Sequence, residues 1–336
     1  MAKTPSSLDP QAFQTTVRHI QEMLGQVIVG QVEVIERLLI TFFAGGHVLL
    51  EGVPGLGKTL LAKSFAKTLG LFFKRIQCTP DLMPADILGT QLVVDQDGHK
   101  TFEFSKGPVF THILLADEVN RATPKTQSAL LEAMEERQVT VSGTTFQLEE
   151  PFFVMATQNP IEMEGTFPLP EAQLDRFLFK IFVDYPSAEE LSQVIRQTTA
   201  AETASIEPVL PTAEARDWIL SARRLVREVL VARPLEEYVV RLVTATRPGD
   251  DHSAQATLAT KFFRYGASPR GAQAILLGAK VLALMHGRVH VSFEDIDHVV
   301  LPALTHRVVL SFEAEADKRT ATDLLTELTE PLRRTR

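Results

Sequence analysis

The sequence predicts a parallel α/β domain with two inserted β-hairpins, followed by a smaller α-helical domain. Short apolar segments alternate with segments of helical periodicity as far as Tyr185-Pro186, which is typical of a parallel sheet covered by helices on both faces. Two turn dipeptides, Asp97-Gly98 and Ser142-Gly143, interrupt this alternation between strand-like segments. Beyond residue 186 the strand pattern disappears and helical periodicity continues.

Two helices are expected to precede the sheet. Apolar residues recur at helical spacing through residues 11–43, and the pattern breaks at Val29-Gly30, where we expect a tight turn. Five short apolar strands follow, at residues 47–50, 71–76, 113–116, 152–156 and 177–183. Helices at 58–69 and 124–136 lie between them. Together these segments predict a five-stranded parallel sheet with flanking helices.

The two hairpins are predicted to be insertions into this sheet domain. The first pairs residues 92–94 with 101–104, and the second pairs 139–141 with 145–148. A helix from Ala188 and a proline-punctuated segment at 208–211 lead into helices at 213–231, 235–246 and 270–285. Ser292 and Asp295 form a capping box that opens one more helix. We therefore divide the chain into an α/β domain at 1–186, and a linker helix with a helical domain at 187–336.

Composition limits the classes of function. The chain has 336 residues, a length that suits two domains better than one, and 45% of them are apolar, which is ample for hydrophobic cores. Cys78 is the only cysteine, so neither an intramolecular disulfide nor a cysteine-based zinc site can form. The formal net charge of −8 argues against nucleic acid as the main ligand, because binding to its backbone depends on Lys and Arg. Without a signal-peptide pattern or a membrane-length apolar stretch, we expect a cytoplasmic protein with no membrane insertion.

A glycine-rich loop joins the first strand to the following helix, with the sequence Gly52-Val53-Pro54-Gly55-Leu56-Gly57-Lys58-Thr59. In this context it is a phosphate-binding loop, whose backbone N–H groups converge on phosphate oxygens at a helix N-terminus. Lys58 is expected to reach the β- and γ-phosphates, and Thr59 to ligate Mg²⁺. A turn that binds nothing is disfavoured, because every fixed position of the motif is matched. We predict ATP and Mg²⁺ as cofactors and assign to nucleotide binding Gly52, Pro54, Gly55, Leu56, Gly57, Lys58, Thr59 and Leu60.

Two carboxylates follow the third strand of the predicted sheet. Asp117 and Glu118 come directly after residues 113–116, and open α/β sheets bind their ligands at the carboxyl ends of the strands. Asp117 is expected to hold Mg²⁺ through water, and Glu118 to act as the general base that polarises the attacking water. Paired acids at a strand end are often solvated caps, but the phosphate loop at the same edge favours the catalytic interpretation.

Three further residues have both a structural and a functional interpretation. Asn159 ends the fourth strand before Pro160, where turn chemistry and a hydrogen bond to the γ-phosphate are compatible. Arg176 precedes the fifth strand and by itself is compatible with a surface ion pair. Arg270 lies in the first turn of a helix with Ser268 as a plausible cap. A cation there opposes the helix dipole, and this mismatch indicates a ligand.

The sequences of several motifs strongly resemble those of the MoxR family of AAA+ ATPases. Besides the phosphate loop, these are Leu-Ala-Asp-Glu-Val-Asn-Arg-Ala at 115–122, Ala-Thr-Gln-Asn-Pro at 156–160, Leu-Pro-Glu-Ala-Gln-Leu-Asp-Arg-Phe at 169–177 and Gly-Ala-Ser-Pro-Arg at 266–270. The match runs from about Val27 to Val309. The two hairpins resemble the helix-2 insert and pre-sensor-1 hairpin of the clade that includes MCM helicases and magnesium chelatase.

The resemblance implies roles for the candidate residues. Asn159 is expected to be sensor 1, Arg176 an arginine finger that acts on a neighbouring subunit, and Arg270 a sensor 2 that reaches from the lid domain. Val29 and Gly30 are expected beside the adenine. Gln77, at the end of the second strand, matches the position that restrains the catalytic glutamate in many relatives. Gly271 departs from expectation, because a glycine could loosen the helix that presents Arg270.

By this resemblance the protein is expected to be a Mg²⁺-dependent, ATP-hydrolysing, chaperone-like member of a homo-oligomeric, hexameric ring. Its partner would be a protein client that it remodels, assembles or activates, often with a von Willebrand factor A domain protein. The alternative is a nucleic-acid-translocating motor of the MCM-like clade, whose hairpin tips typically carry Lys or Arg. Residues 142–145 carry none, and Lys100 is flanked by Asp95 and Asp97.

Two more classes of protein are disfavoured. A switch that holds ATP without turnover would not need both Glu118 and Arg176. A magnesium chelatase subunit shares the clade, but the compact length and the MoxR-like motifs argue against it.

Overall fold

The computed structural model describes residues 8–96, 99–160, 165–199, 206–249 and 254–334. In chain order the strands are β1 (Val48–Glu51), β2 (Phe73–Gln77), β3 (Gly89–Gln96), β4 (His99–Lys106), β5 (Ile113–Asp117), β6 (Gln138–Val141), β7 (Thr144–Gln147), β8 (Phe153–Gln158), β9 (Phe179–Phe182), β10 (Phe263–Tyr265) and β11 (Val309–Leu310). Five of them, in the order β2-β5-β8-β1-β9, form a sheet in which every pair is parallel. The predicted five-stranded parallel sheet is confirmed.

The helices complete a layered α/β arrangement. They are α1 (Pro10–Gly25), α2 (Val32–Phe43), α3 (Lys58–Thr68), α4 (Pro84–Leu88), α5 (Pro124–Glu136), α6 (Glu171–Leu174), α7 (Ala188–Thr199), α8 (Thr212–Glu228), α9 (Arg233–Ala245), α10 (Ala254–Phe262), α11 (Pro269–Met285), α12 (Phe293–Leu304), α13 (Phe312–Ala316) and α14 (Ala321–Arg334). The predicted helices α1, α2, α3, α5, α7, α8, α9, α11 and α12 all form. Among the described residues no helix combines the length and the apolar character that a bilayer crossing requires.

The sheet is buried on both faces because successive side chains of each strand point to opposite sides. Leu50, Leu115 and Met155 belong to the larger core, which includes residues of α1, α2 and α3. Leu49, Leu114, Val154 and other alternate residues belong to a second core, which includes residues of α5. The apolar strands that appeared as continuous runs in the sequence therefore serve two cores at once.

The two predicted hairpins form with the expected pairing. In the first, Val93 faces Phe102 across β3 and β4, while its turn dipeptide Asp97-Gly98 lies outside the described residues. In the second, Ser142 and Gly143 have φ of 51° and 82° between β6 and β7, the backbone that a two-residue hairpin turn requires. The rings of Phe104 and Phe146 stack at 4.1 Å between centroids, which joins the two hairpins into one unit.

The helices after residue 206 share the larger core with α1 and α2. Gly278 of α11 allows a close approach to the sheet, since a Cβ there would lie 2.7 Å from Cζ of Phe179 on β9. The predicted capping box of Ser292 and Asp295 opens α12. The short antiparallel pair of β10 and β11 was not predicted. The division of the chain at residue 186 stays a prediction, because this core runs across it.

Candidate functional site

The glycine-rich loop turns between β1 and α3 in a conformation that suits glycine. Gly55 and Gly57 have φ of 86° and 77°, in the left-handed region, and Gly57 caps α3. The ammonium of Lys58 donates to the carbonyl oxygen of Gly52 and, at 2.9 Å, to that of Val53. The loop therefore wraps around its own lysine, with the N-terminus of α3 at its end.

A cavity of about 610 Å³ adjoins this loop. One wall is the turn between α1 and α2, and another is α7, which contributes Leu191. Of the predicted nucleotide-binding residues, those that line the cavity are Val29, Gly30, Pro54, Gly55, Leu56, Gly57 and Leu60. Gly52 lies at the base of the loop, where a Cβ would come within 2.6 Å of the carbonyl oxygen of Val183. The mixture of apolar and polar residues in this lining is suitable for a purine nucleoside beside its phosphates.

Asp117 is fixed at the end of β5 by two donors. Its Oδ1 accepts a 2.6 Å hydrogen bond from the hydroxyl of Thr157, and its Oδ2 accepts one of 2.7 Å from Nη2 of Arg75. The Thr157 hydroxyl also accepts from the backbone N–H of Glu118, at 2.8 Å. Thr157 on β8 therefore sets the positions of both predicted acids.

Glu118 is restrained by side chains from two different elements. Its backbone has φ of 56°, an uncommon conformation for a residue other than glycine. Its Oε2 accepts hydrogen bonds from Nε2 of Gln77, at 2.9 Å, and from Nη1 of Arg121, at 3.1 Å. The contact between Gln77 and Glu118 that the resemblance implied is present in the structure.

The phosphate loop and the two acids share one electrostatic environment. Burial lowers the pKa of Lys58, while the charges of Asp117 and Glu118 act in the opposite direction. Burial raises the pKa of the Cys78 thiol to about 12, and the same two carboxylates add to that rise. Asn159, which is buried, follows β8 between β5 and β1. Lys58, the two acids and Asn159 therefore lie at one edge of the sheet, the one formed by the carboxyl ends of three adjacent strands.

Arg176 and Arg270 lie together at the opposite edge of the sheet, where the parallel strands begin. They line a cavity of about 240 Å³ with Gly46 and His47, which precede β1, and with Leu178, which precedes β9. Both arginines form ion pairs with Glu135 near the end of α5, and Arg176 Nε lies 2.9 Å from Glu135 Oε2. The four residues of β1 alone span about 10 Å between this edge and the phosphate loop of the same chain.

The helical part of the chain docks on the sheet directly beside Arg176. The buried Arg307 donates from Nε to Asp175 Oδ1 at 2.8 Å, and its other nitrogens donate to backbone carbonyls including those of Phe177 and Leu178. Ser268 donates to the same carboxylate at 2.9 Å. This clamp holds the start of α11, and therefore Arg270, next to Arg176.

Gly271 allows this docking rather than loosening it. The residue is buried, and a Cβ there would approach Cδ2 of Leu304 at 2.9 Å. The glycine lets α11 lie close to the end of α12.

The oxygen donors at the first edge suit Mg²⁺. This ion usually takes one or two protein oxygens and completes its shell with phosphates and water. The hydroxyl of Thr59 and the carboxylate of Asp117 are such donors, and no group of three or more metal-binding side chains occurs within the described ranges. The donor set therefore fits an ion that arrives with a nucleotide.

Sequence reasoning missed four residues that contact the candidate site residues. Thr157 stands inside the motif at 156–160 and could have been selected from it. Arg121 lies inside the motif at 115–122 in the same way. Arg75 and Glu135 carry no local signal, because the chain brings them to Asp117 and to the two arginines from distant positions.

Comparison with known proteins agrees with this architecture. Residues 47–179 match the ATPase family associated with various cellular activities, and residues 255–328 match the AAA lid domain. The structure superimposes on a crystal structure from Cytophaga hutchinsonii with a TM-score of 0.86 and 41% sequence identity, over 95% of this chain and 94% of that one.

Two relatives in sequence carry informative names. Chaperone MoxR1 of Mycobacterium tuberculosis is 45% identical over 87% of this chain and 75% of its own length. Protein MoxR of Paracoccus denitrificans is 34% identical over 88% of each chain. A third relative, YeaC of Bacillus subtilis, is 44% identical over 91% of each chain.

Proposed function

Because the chain belongs to the MoxR family of AAA+ ATPases, we propose that it is a Mg²⁺-dependent ATPase that assembles into a ring and remodels, assembles or activates a protein client. The observation that carries the proposal is the meeting of Lys58, Asp117, Glu118 and Asn159 at the carboxyl ends of three adjacent strands. Phosphoryl transfer needs little more from a protein than positioning and charge stabilisation, which these groups can supply.

Each residue then has a defined task. When ATP is bound with Mg²⁺, water would attack its γ-phosphate while the bond to the β-phosphate oxygen breaks, which gives ADP and phosphate. Lys58 would exchange its loop carbonyls for phosphate oxygens, and the ion would be held by Thr59 directly and by Asp117 through water. Glu118 accepts the proton of the attacking water, and we expect its carboxylate to turn away from Gln77 and Arg121, which bind its Oε2. Asn159 orients the same water.

The positions of Arg176 and Arg270 support an assembly. Both lie at the sheet edge away from their own phosphate loop, so neither is placed to stabilise the nucleotide of its own chain. In a head-to-tail ring, that edge faces the nucleotide of the next subunit. We infer that both arginines act there, and a hexamer is the ring size that the family resemblance implies.

The hairpin unit favours a protein client over nucleic acid. Its two halves are joined by the Phe104 and Phe146 stack, and its exposed apolar side chains include Leu92, Val93 and Phe102. Apolar side chains suit a polypeptide, whereas a strand of nucleic acid requires a basic groove. A von Willebrand factor A domain protein is the partner class that we expect from the resemblance.

The first experiment separates nucleotide binding from hydrolysis. Lys58→Ala should lose both, because the charge that holds the phosphates is removed. Glu118→Gln should bind a fluorescent ATP analogue as tightly as the wild type and release no phosphate, because the amide cannot accept the proton. Glu132→Gln, an exposed position on α5, is the matched control and should hydrolyse normally. Full turnover by Glu118→Gln would refute the assignment.

A second experiment tests the action of Arg176 on a neighbour. Arg176→Ala should fold and bind ATP but hydrolyse it roughly 10³-fold more slowly, as for other phosphate-stabilising arginines. Co-assembly with Lys58→Ala subunits should restore part of the activity, since an intact phosphate loop then meets an intact Arg176. If a ring made only of Arg176→Ala subunits hydrolysed ATP at the wild-type rate, Arg176 would have only a structural role as an ion-pair partner.

Client capture provides the test of the remodelling role. Glu118→Gln with ATP should retain client proteins in affinity purification, and the Lys58→Ala variant should not.

A further inference from the structure

Glu135 contacts both of the arginines that the catalytic proposal assigns to the neighbouring site. Its Oε2 lies 2.9 Å from Nε of Arg176, and its Oε1 accepts a hydrogen bond from Nη2 of Arg270. The three side chains come from α5, from the segment before β9 and from the start of α11. One carboxylate thus links three elements that are far apart in sequence.

The other acid that lines this cavity is already engaged. Asp175 accepts from Arg307 and Ser268, so it serves the docking of the lid. The titratable groups that line the cavity are three arginines, two acids and one histidine, namely Arg176, Arg270, Arg307, Glu135, Asp175 and His47. Burial lowers the pKa of His47 to about 3, so that imidazole is neutral near pH 7. The cavity keeps one net positive charge, which suits an approaching phosphate.

Two guanidinium groups side by side repel each other, and each ends a side chain with high rotamer freedom. Without an acid between them, they would separate and spread into solvent, because both are partly exposed. With Glu135 in place, each presents its remaining N–H groups in a fixed direction. Pre-organised donors of this kind stabilise developing charge without reorganisation at the moment of reaction.

We propose that Glu135 is a positioning residue for the nucleotide site of the adjacent subunit, where it holds Arg176 and Arg270 as a fork for one phosphate. This inference rests on the proposed action of the arginines between subunits. It assigns Glu135 to the site of the neighbour and not to that of its own chain. The role predicts an effect that depends on which subunit of a mixed assembly carries the substitution.

The test uses the two complementing variants, Lys58→Ala and Arg176→Ala, co-expressed with different tags and purified through both. In such an assembly, the Lys58→Ala subunit supplies the arginines and the Arg176→Ala subunit supplies the phosphate loop. Glu135→Gln is then added to one subunit or to the other. Placed with Lys58→Ala, it should lower the maximal rate by about tenfold, a fraction of what a phosphate-stabilising arginine supplies. Placed with Arg176→Ala, it should leave the rate unchanged.

Three controls separate this role from damage to the fold. Fluorescent-nucleotide affinity and the thermal midpoint should be equal for the two placements. Glu132→Gln, one turn earlier on α5 and exposed, should have no effect in either subunit. Glu135→Asp should recover part of the rate, since it restores the charge.

The outcomes are distinct. No activity in the unmodified mixture would refute the proposed action between subunits. Restored activity with equal loss from both placements, or with a higher rate after Glu135→Gln, would refute the role of Glu135 alone.

Discussion

Replacing Arg307 with Met should destabilise the fold and detach the lid from the sheet. The Arg307 side chain is 3% exposed, and its guanidinium bonds to the Asp175 carboxylate and to the carbonyls of Phe177 and Leu178. Met keeps the length of the side chain but leaves these acceptors without a donor. The consequence for function is a displaced Arg270, whose helix begins beside the same Asp175.

The magnitude follows from the burial of the pair. Removing one partner of a buried ion pair costs about 3–5 kcal/mol, because the remaining polar groups lose their compensation. For a chain of this size, about 2 °C per kcal/mol translates this into a fall of roughly 6–10 °C in the thermal midpoint. Asp175→Asn should cost less, since Arg307 keeps its carbonyl acceptors. In the double variant the combined cost should fall short of the sum by at least about 1 kcal/mol.

Trp218 provides the signal for this measurement. It is the only tryptophan of the chain, and its ring stacks on Phe13 of α1 at 6.2 Å between centroids. Urea titration followed by its fluorescence gives the four free energies of the double-mutant cycle. Arg233→Met, which breaks an exposed ion pair on α9, is the matched control and should not change the midpoint. A loss below about 1 kcal/mol for Arg307→Met, or strict additivity, would refute the clamp.

Three further predictions concern catalysis, pH and ligand class. Gln77→Leu removes one of the donors that hold Glu118 aside, so basal phosphate release should rise; an unchanged or lower rate contradicts the restraint. The hydrogen bond between Glu36 and His298 lowers the pKa of Glu36 and raises the pKa of His298. The stability that this pair gives the folded state is therefore lost as the pH falls through the lowered pKa of Glu36, and also as the pH rises through the raised pKa of His298. The difference in unfolding midpoint between wild type and His298→Gln should therefore be largest near pH 5–6, between the ordinary pKa values of Glu and His, and should decrease as the pH rises through the raised pKa of His298. A strand-displacement assay at ~0.15 M salt should show no ATP-driven DNA unwinding, and unwinding would favour the translocating motor.

The candidate residues at the carboxyl ends of the strands could be predicted from the sequence, but Thr157, Arg75 and Arg121, which hold Asp117 and Glu118, were not predicted. Each strand is recognisable as an apolar segment, and the polar candidate residues follow shortly after the segment, as Asp117 and Asn159 do. These signals involve residues that are close together in the sequence, so they can be recognised without knowledge of the fold. The restraint of Glu118 by Gln77 needed the family resemblance, because nothing in the sequence itself states which strands are neighbours.

The contacts around Arg176 and Arg270 at the opposite end of the sheet could not be predicted, because the sequence does not show which distant segments become neighbours. Arg270 meets Glu135, and Arg307 meets Asp175, across more than a hundred residues of chain in each case. These contacts depend on where the lid docks, which neither periodicity nor spacing encodes. Gly271 illustrates the limit. Helix propensity alone suggests that this glycine weakens α11. In the structure a side chain at this position would collide with Leu304, so the close packing of α11 on α12 requires glycine.

The docking of the lid also determines how hydrolysis can be coupled to movement. The lid is held to its own sheet by a buried ion pair, by the close approach of Gly278 to Phe179 and by a shared apolar core. Opening that interface within one subunit would expose all three. By contrast, the phosphate loop of one chain and the arginines of the next would be joined mainly through the nucleotide itself. Loss of the γ-phosphate should therefore loosen the contact between subunits before it loosens the lid, so the moving body in the proposed ring is a sheet together with its own lid.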